Sequence, residues 1–459
     1  MKQLKAHFQR ILDTGVPKPN RKGEFDQPDS TLSVFGAQLR FDLSKGQLPV
    51  TTSKELKFDA MAKEIAWMIR GETNIKTLGC SIWNKWALKE DLVIKQPKHE
   101  TDIIREMAVK FPERTVPEIS QMLFGMVIEA CTIAEGTMIR VNTAVGEGDQ
   151  AEQWEEVPLT PELLTPQNIN TEGVTVDYEL IDNTLLDQGV NPYNIIPQFD
   201  AGYCGPIYGQ QWRAFESIAK RQGQKGIVVT DQLMEAYRTL RDDIYSRRNL
   251  VMAWNPGLIT ESGTDLQTNI ALGNMGLPPC HYGFQLYVAG RPEEQQLSLG
   301  LKLRSSDSGV GLPFNITAYS FMAYLYAAEF DLKLGEMVAD IGDAHIYISH
   351  IDGVHEYIKR PEHELPKFTF TEKYAELKER VCKQALVNYV DQLTYQTPEQ
   401  REVALAKEFD KYFHVDTVNT PAAKEALFKL FIDNLDYTVI TECIEGYTSE
   451  GFIKLDLYD

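Results

Sequence analysis

Residues 297–304 read Leu-Ser-Leu-Gly-Leu-Lys-Leu-Arg. Leu297, Leu299, Leu301 and Leu303 fall at every second position, so they share one face of a strand. Ser298, Gly300, Lys302 and Arg304 take the other. A half-buried β-strand segregates that repeat and a helix does not. The preceding run "HYGFQLYVAG" is also β-type and leads into the turn "GRPEEQ". Together they predict a hairpin that needs further sheet and a core beneath it. The hairpin brings Arg304 close to the strand entered at Cys280, in "GLPPCHYGFQLYV". Pro278 and Pro279 stiffen that entrance, so Cys280 is either a packed thiol or a held nucleophile. A neighbouring guanidinium lowers a thiol pKa, which leads us to expect a thiolate near neutral pH. His281 is the adjacent base, but successive strand side chains point to opposite faces. Its role is supporting at most.

The chain has 459 residues, 43% of them hydrophobic. That suffices for a sizeable core and exceeds the usual single-domain length. Either two domains are present or one catalytic fold carries insertions. A net charge of -20 repels phosphate backbones and argues against nucleic-acid binding. An anionic small substrate then needs a local cluster of arginines. Six scattered cysteines without a CxxC pair read as a reduced, intracellular protein. The eight histidines form no HExxH pattern, and no Cys/His spacing suggests a metal. No apolar run is long enough to span a membrane, so the expected location is the cytoplasm.

Along the chain, "MKQLKAHFQRILDTG" predicts an amphipathic helix with Leu4, Phe8, Ile11 and Leu12 on one face. Apolar periodicity is dense over 1–87 and 205–360. Residues 88–204 interrupt it with charged helical sequence and then the acidic, turn-rich "VGEGDQAEQWEEVPLTPELLTPQN". They read as an insertion or small subdomain, with strand-like alternation at Ile139, Val141, Val174, Val176 and Tyr178. A second unusual region covers about 367–440. Two amphipathic helices are expected there, one capped by Thr397 with Pro398 and Gln400, the other opening at Thr420.

"LKFDAMAKEIAWMIR" predicts a core helix near 56–70 with Met61, Ile65, Met68 and Ile69 on its apolar face. Glu64 shares that face, so its carboxylate is either paired or has a raised pKa. It is a helix-edge partner of Lys63 or Arg70, or a proton-handling group in a pocket. Arg247 and Arg248 end a helical run and lead straight into an apolar strand, where a phosphate could be bound.

The blocks "TNIKTLGCSIWNKWA", "CGPIYGQQWRAF", "SRRNLVMAWN", "LPPCHYGFQLYV", "LRSSDSGVGLPFNITAYSF" and "GDAHIYISH" closely resemble the thymidylate synthase family, which includes the pyrimidine hydroxymethylases. They stand in family order and cover residues 1–87, 203–368 and about 444–454. The resemblance implies an α/β (α+β) fold with a large, mainly antiparallel sheet and flanking helices. It implies one catalytic domain over 1–459, interrupted at 88–204 and 371–436, in a homodimer that shares its active sites. It also implies the substrate dUMP and the co-substrate 5,10-methylenetetrahydrofolate, with no metal.

By the same resemblance Cys280 is the nucleophile that adds to C6 of the uracil. Arg304 supports it and binds phosphate with Ser305 and Arg21, while Arg247 and Arg248 reach the phosphate from the other subunit. Asn315 reads the O4/N3 edge, which favours dUMP over dCMP. His345 and Tyr347 hold the ribose hydroxyl. Glu64 and Tyr208 belong to the proton-transfer network. Asp307 bonds the pterin, and Trp83, Trp86 and Gly311 lie on the folate side.

Three departures bear on the outcome. Gly309 and Val310 replace the aromatic residue and leucine that usually precede the glycine, and Leu303 replaces a glutamine. The tail "EGYTSEGFIKLDLYD" keeps Glu445, Gly446, Tyr447, Ile453 and Lys454 but ends in Leu457, Tyr458 and Asp459 rather than small apolar residues. These changes are expected to loosen the folate side. The favoured product is dTMP with dihydrofolate. The alternative is 5-hydroxymethyl-dUMP with tetrahydrofolate.

Overall fold

The alternating leucines lie on the fifth strand of a six-stranded sheet. In the computed structural model, which describes residues 1–142, 154–221, 224–394, 397–414 and 418–458, the strands are β1 (Val16–Lys18), β2 (Thr31–Asp42), β3 (Leu250–Met252), β4 (His281–Ala289), β5 (Gln296–Asp307) and β6 (Lys333–Tyr347). Their order across the sheet is β1-β2-β6-β5-β4-β3. Only β5 and β6 run parallel, and the other neighbours are antiparallel. The large, mainly antiparallel sheet is therefore present.

The predicted hairpin is β4–β5, with Phe284 opposite Leu301 and Leu286 opposite Leu299. Leu297, Leu299, Leu301 and Leu303 are all buried. The opposite face is polar, with Lys302 and Gln38 both bonded to Asp340. The register slips between His281 and Gly283, which leaves Tyr282 as a bulge. A β-carbon at Gly283 would lie 2.9 Å from the Val251 carbonyl oxygen, so only glycine lets β3 approach this closely.

Helices cover the apolar face. The helix at Lys2–Thr14 (α1) buries Leu4, Phe8 and Ile11. Phe58–Arg70 (α2) buries Met61, Ile65, Met68 and Ile69 and stops at Gly71, whose φ of 84° provides the left-handed cap. Next come Tyr208–Arg213 (α3) and Gln232–Asp242 (α4). Gly311–Glu329 (α5) makes the crossover between the parallel pair and is apolar nearly all round, as a helix buried on every side must be. Ile351–Lys359 is α6.

Residues 371–436 add three helices where two were expected. Phe370–Asp391 (α7) precedes Pro398–Phe413 (α8) and Pro421–Asp433 (α9). Thr397 and Thr420 cap the last two as expected, accepting from Gln400 N and Ala423 N. The weak amphipathicity of α7 hid it, because it packs on more than one side against α5, α8 and α9.

The chain forms two compact units, residues 1–90 with 200–459, and residues 91–199. In the first, Leu88 and Gly202–Tyr203 are joined by backbone hydrogen bonds of 2.8 Å, so the chain leaves and re-enters at one place. The second has its own small core of Met107, Ile119, Leu123, Ile181 and Leu185. Ile139 and Val141 lie on one strand, and Val174 and Val176 on another. Tyr178 instead opens the helix Tyr178–Asp187, because Asp177 caps it by accepting from Leu180 N. Part of the acidic stretch, 143–153, lies outside the described residues. Among the described residues no helix is long and apolar enough to cross a membrane, and no His/Cys/Asp/Glu group is placed to hold a metal ion.

Candidate active site

Cys280 sits half-buried at the entrance to β4, one residue before the bulged register. Its backbone is held from two sides. Cys280 N donates to the Tyr208 hydroxyl at 2.8 Å, and Arg304 N donates to the Cys280 carbonyl at 2.9 Å. The Arg304 guanidinium donates to the carbonyls of Pro279 (2.8 Å) and Pro278 (2.9 Å) and lies over the Trp254 ring. The stiff diproline lead-in is thus clamped by the same arginine that the hairpin was expected to bring near.

The expected low thiol pKa does not follow. Burial pushes the Cys280 thiol up, Arg304 opposes this, and Asp307 adds to it, so the net direction is upward. Desolvation of the thiolate outweighs the guanidinium, whose donors are directed at the two proline carbonyls.

Beside the thiol is a buried aromatic stack. Tyr208 stacks on His281 with ring centroids 4.0 Å apart, and His281 Nδ1 lies 2.6 Å from the Tyr319 hydroxyl. Burial holds His281 down at about 3, which leaves it neutral and a weak base at physiological pH. Tyr208 also meets the edge of Trp83 at 5.8 Å. Trp83 Nε1 donates to Glu64 Oε1 at 2.7 Å.

Glu64 pairs with neither neighbouring cation, since Lys63 is bonded to Asp59 and Arg70 to Glu72. Burial raises its pKa to about 7, partly offset by the Trp83 hydrogen bond. A carboxyl poised there can give or take a proton at neutral pH. Cys280, Tyr208, Trp83 and Glu64 therefore form one connected cluster.

Asp307 ends β5 and turns the chain into α5, accepting from Gly309 N (2.9 Å) and Val310 N (3.3 Å). Lys54, which sequence reasoning missed, donates to the Gly309 carbonyl at 3.1 Å. Burial lowers its pKa to about 8, against the pull of Asp307. Its only sequence signal was a lone cation among small hydroxyl residues in "TTSKEL". Gly311 and Asn315 occupy the first turns of α5. His345 Nδ1 lies 3.5 Å from Asp343, and its ring meets Tyr347 edge-on. Ser305 pairs with Asp343 across β5–β6.

Three predicted phosphate ligands are exposed and, among the described residues, are not bonded to this cluster. Arg21 is exposed in the turn after β1, and Arg247 and Arg248 are exposed just before β3. Among the described residues no hydrogen bond or ion pair joins these side chains to the Cys280 cluster.

The two tryptophans expected on the folate side lie together. Trp83 and Trp86 meet edge-to-face at 5.5 Å, and Trp86 Nε1 is buried without a partner among the described residues. Asp307 and Lys54 add one charge of each sign.

The sequence profile of the family described as Thymidylate synthase matches residues 2–398. A thymidylate synthase of Listeria monocytogenes serotype 4b (strain CLIP80459) is 30% identical over 378 residues, which is 82% of this chain and 91% of the relative. One of Listeria innocua serovar 6a is 31% identical over the same shares.

Proposed function

Because the chain belongs to the thymidylate synthase family, and is thus a methyltransferase-type enzyme, we propose that it transfers one carbon to C5 of dUMP and releases dTMP. The observation that carries this reading is the joined Cys280–Tyr208–Trp83–Glu64 cluster. The Cys280 sulfur lone pair forms the S–C6 bond while the C5=C6 π pair shifts onto C5 and the C4 carbonyl, which makes C5 an enolate carbon. The thiol proton must leave as that bond forms, since the free thiolate is disfavoured by burial. Glu64 takes and returns protons near pH 7, and Tyr208 holds the backbone of the nucleophile. Asn315 reads O4 and N3–H by donating to one and accepting from the other. Ser305, Arg304 and Arg21 bind the phosphate, and His345 and Tyr347 the sugar.

5,10-Methylenetetrahydrofolate supplies the carbon and, for dTMP, the hydride. Trp83, Trp86, Asp307, Gly311 and Lys54 would hold it. Residues 88–204 and 371–436 are insertions relative to compact members of the family. The reaction belongs in the cytoplasm, in a homodimer.

The test is product identity. C5-tritiated dUMP with methylenetetrahydrofolate should release tritium and yield dTMP and dihydrofolate in equal amounts. A product heavier by one oxygen, without dihydrofolate, would replace this reading with the hydroxymethylase one.

The exposure of Arg247 and Arg248 supports a shared site, because guanidiniums that make no contact with their own Cys280 cluster are available to a second copy. Mixing inactive Arg247→Ala and Cys280→Ala chains should restore activity, since one hybrid site has both its own Cys280 and the partner's arginine. Confirmed subunit exchange without recovery would refute sharing.

A further inference from the structure

The C-terminal tail is tied to the body of the fold by hydrogen bonds along its length. Glu450 N donates to Thr52 O, Glu55 N to Gly451 O, and Arg360 to Gly451 O at 3.0 Å. Leu455 then fills the space left by two glycines. A β-carbon at Gly309 would lie 3.2 Å from Leu455 Cδ1, and one at Gly353 on α6 would lie 2.6 Å from Leu455 Cδ2. The gap opened by the departure at Gly309 is thus closed from the tail. Beyond Leu455, His350 Nε2 donates to Asp456 O at 2.7 Å, and Lys85 to Leu457 O at 2.8 Å. Lys85 lies between Trp83 and Trp86, so one strap touches both the tryptophan loop and the end of β6. Its register brings the Tyr458 ring to 4.6 Å from the Tyr347 ring and 5.8 Å from His350.

We infer that Tyr458 is a positioning residue for the nucleotide: it braces Tyr347, and the Leu455 niche sets where the brace lands. This rests on the proposed function, in which Tyr347 holds the sugar hydroxyl. A planar ring against Tyr347 restricts its rotamers. The tail therefore contributes to binding of the first substrate.

The experiment compares wild type, Tyr458→Ala and Tyr458→Phe for equilibrium binding of dUMP and of its 3′-deoxy analogue, and for KM and kcat by tritium release. Tyr458→Ala should weaken dUMP binding roughly three- to tenfold, the range of an aromatic contact, and raise KM more than it lowers kcat. Phenylalanine, which keeps the ring, should restore wild-type binding. The 3′-deoxy analogue should bind all three proteins equally, because the brace acts through the hydroxyl contact. Displacing Leu455 with Gly353→Val should reproduce the dUMP defect from a distance. Equal dUMP affinity in wild type and Tyr458→Ala, or an equal loss for both nucleotides, overturns the brace while the proposed function stands. Wild type that neither binds dUMP nor releases tritium overturns the function itself.

Discussion

Cys280→Ser is expected to lose turnover by roughly 10³-fold or more, about 4 kcal/mol of barrier, while keeping the fold. The contacts that shape this strand entrance are made by backbone atoms. Tyr208 accepts from Cys280 N, and Arg304 bonds the carbonyls of Pro278, Pro279 and Cys280. A serine keeps all of them, so unfolding should move by less than about 1 kcal/mol. What it lacks is an accessible anion. Burial already raises the thiol, and an alkoxide in the same place has no base strong enough to form it. His281 is too weak a base to form it, since burial holds its pKa at about 3 and its Nδ1 is engaged with Tyr319. Tritium release from C5-labelled dUMP is the sensitive assay, since C5 loses its tritium after the adduct has taken up the one-carbon unit and before the final product forms. A serine variant within tenfold of wild type would refute covalent attack by this residue.

The hairpin was readable because period-two alternation is a local signal, and Leu297 to Leu303 kept it without a break. The core helix with Glu64 on its inner face was readable for the same reason at period 3.6. What could not be read is where side chains meet across the fold. Nothing near Glu64 in the sequence says that its partner is Trp83 rather than Lys63 or Arg70. Arg304 was placed correctly near Cys280, but the sign of the thiol shift depended on desolvation and on donors already directed at Pro278 and Pro279. Gly309 looked like a gap because Leu455, which fills it, is far along the chain. Tyr178 looked like a strand residue because its alternation outweighed the Asp177 cap.

Glu64→Gln tests the other half of the cluster. Glutamine keeps an acceptor for Trp83 Nε1, so the indole should stay in place. It cannot exchange a proton, and kcat should fall by about 10²- to 10⁴-fold, the usual worth of a positioned acid–base group. KM for dUMP should change little, and the limb of the pH–rate profile near 7 should vanish with the carboxyl. Stability supplies a second readout with a definite sign. Folding raises this pKa from 4.5 to about 7, so the neutral acid is favoured in the native state. Its stabilising contribution is complete below the unfolded value and is lost as pH rises through about 7. The glutamine variant escapes that loss. Relative to wild type it should gain on the order of 1–3 kcal/mol between pH 5 and pH 8, seen as a widening difference in denaturation midpoints. A difference that stays constant across that window would mean Glu64 is ionised throughout. Its role would then be to hold Trp83 rather than to move protons.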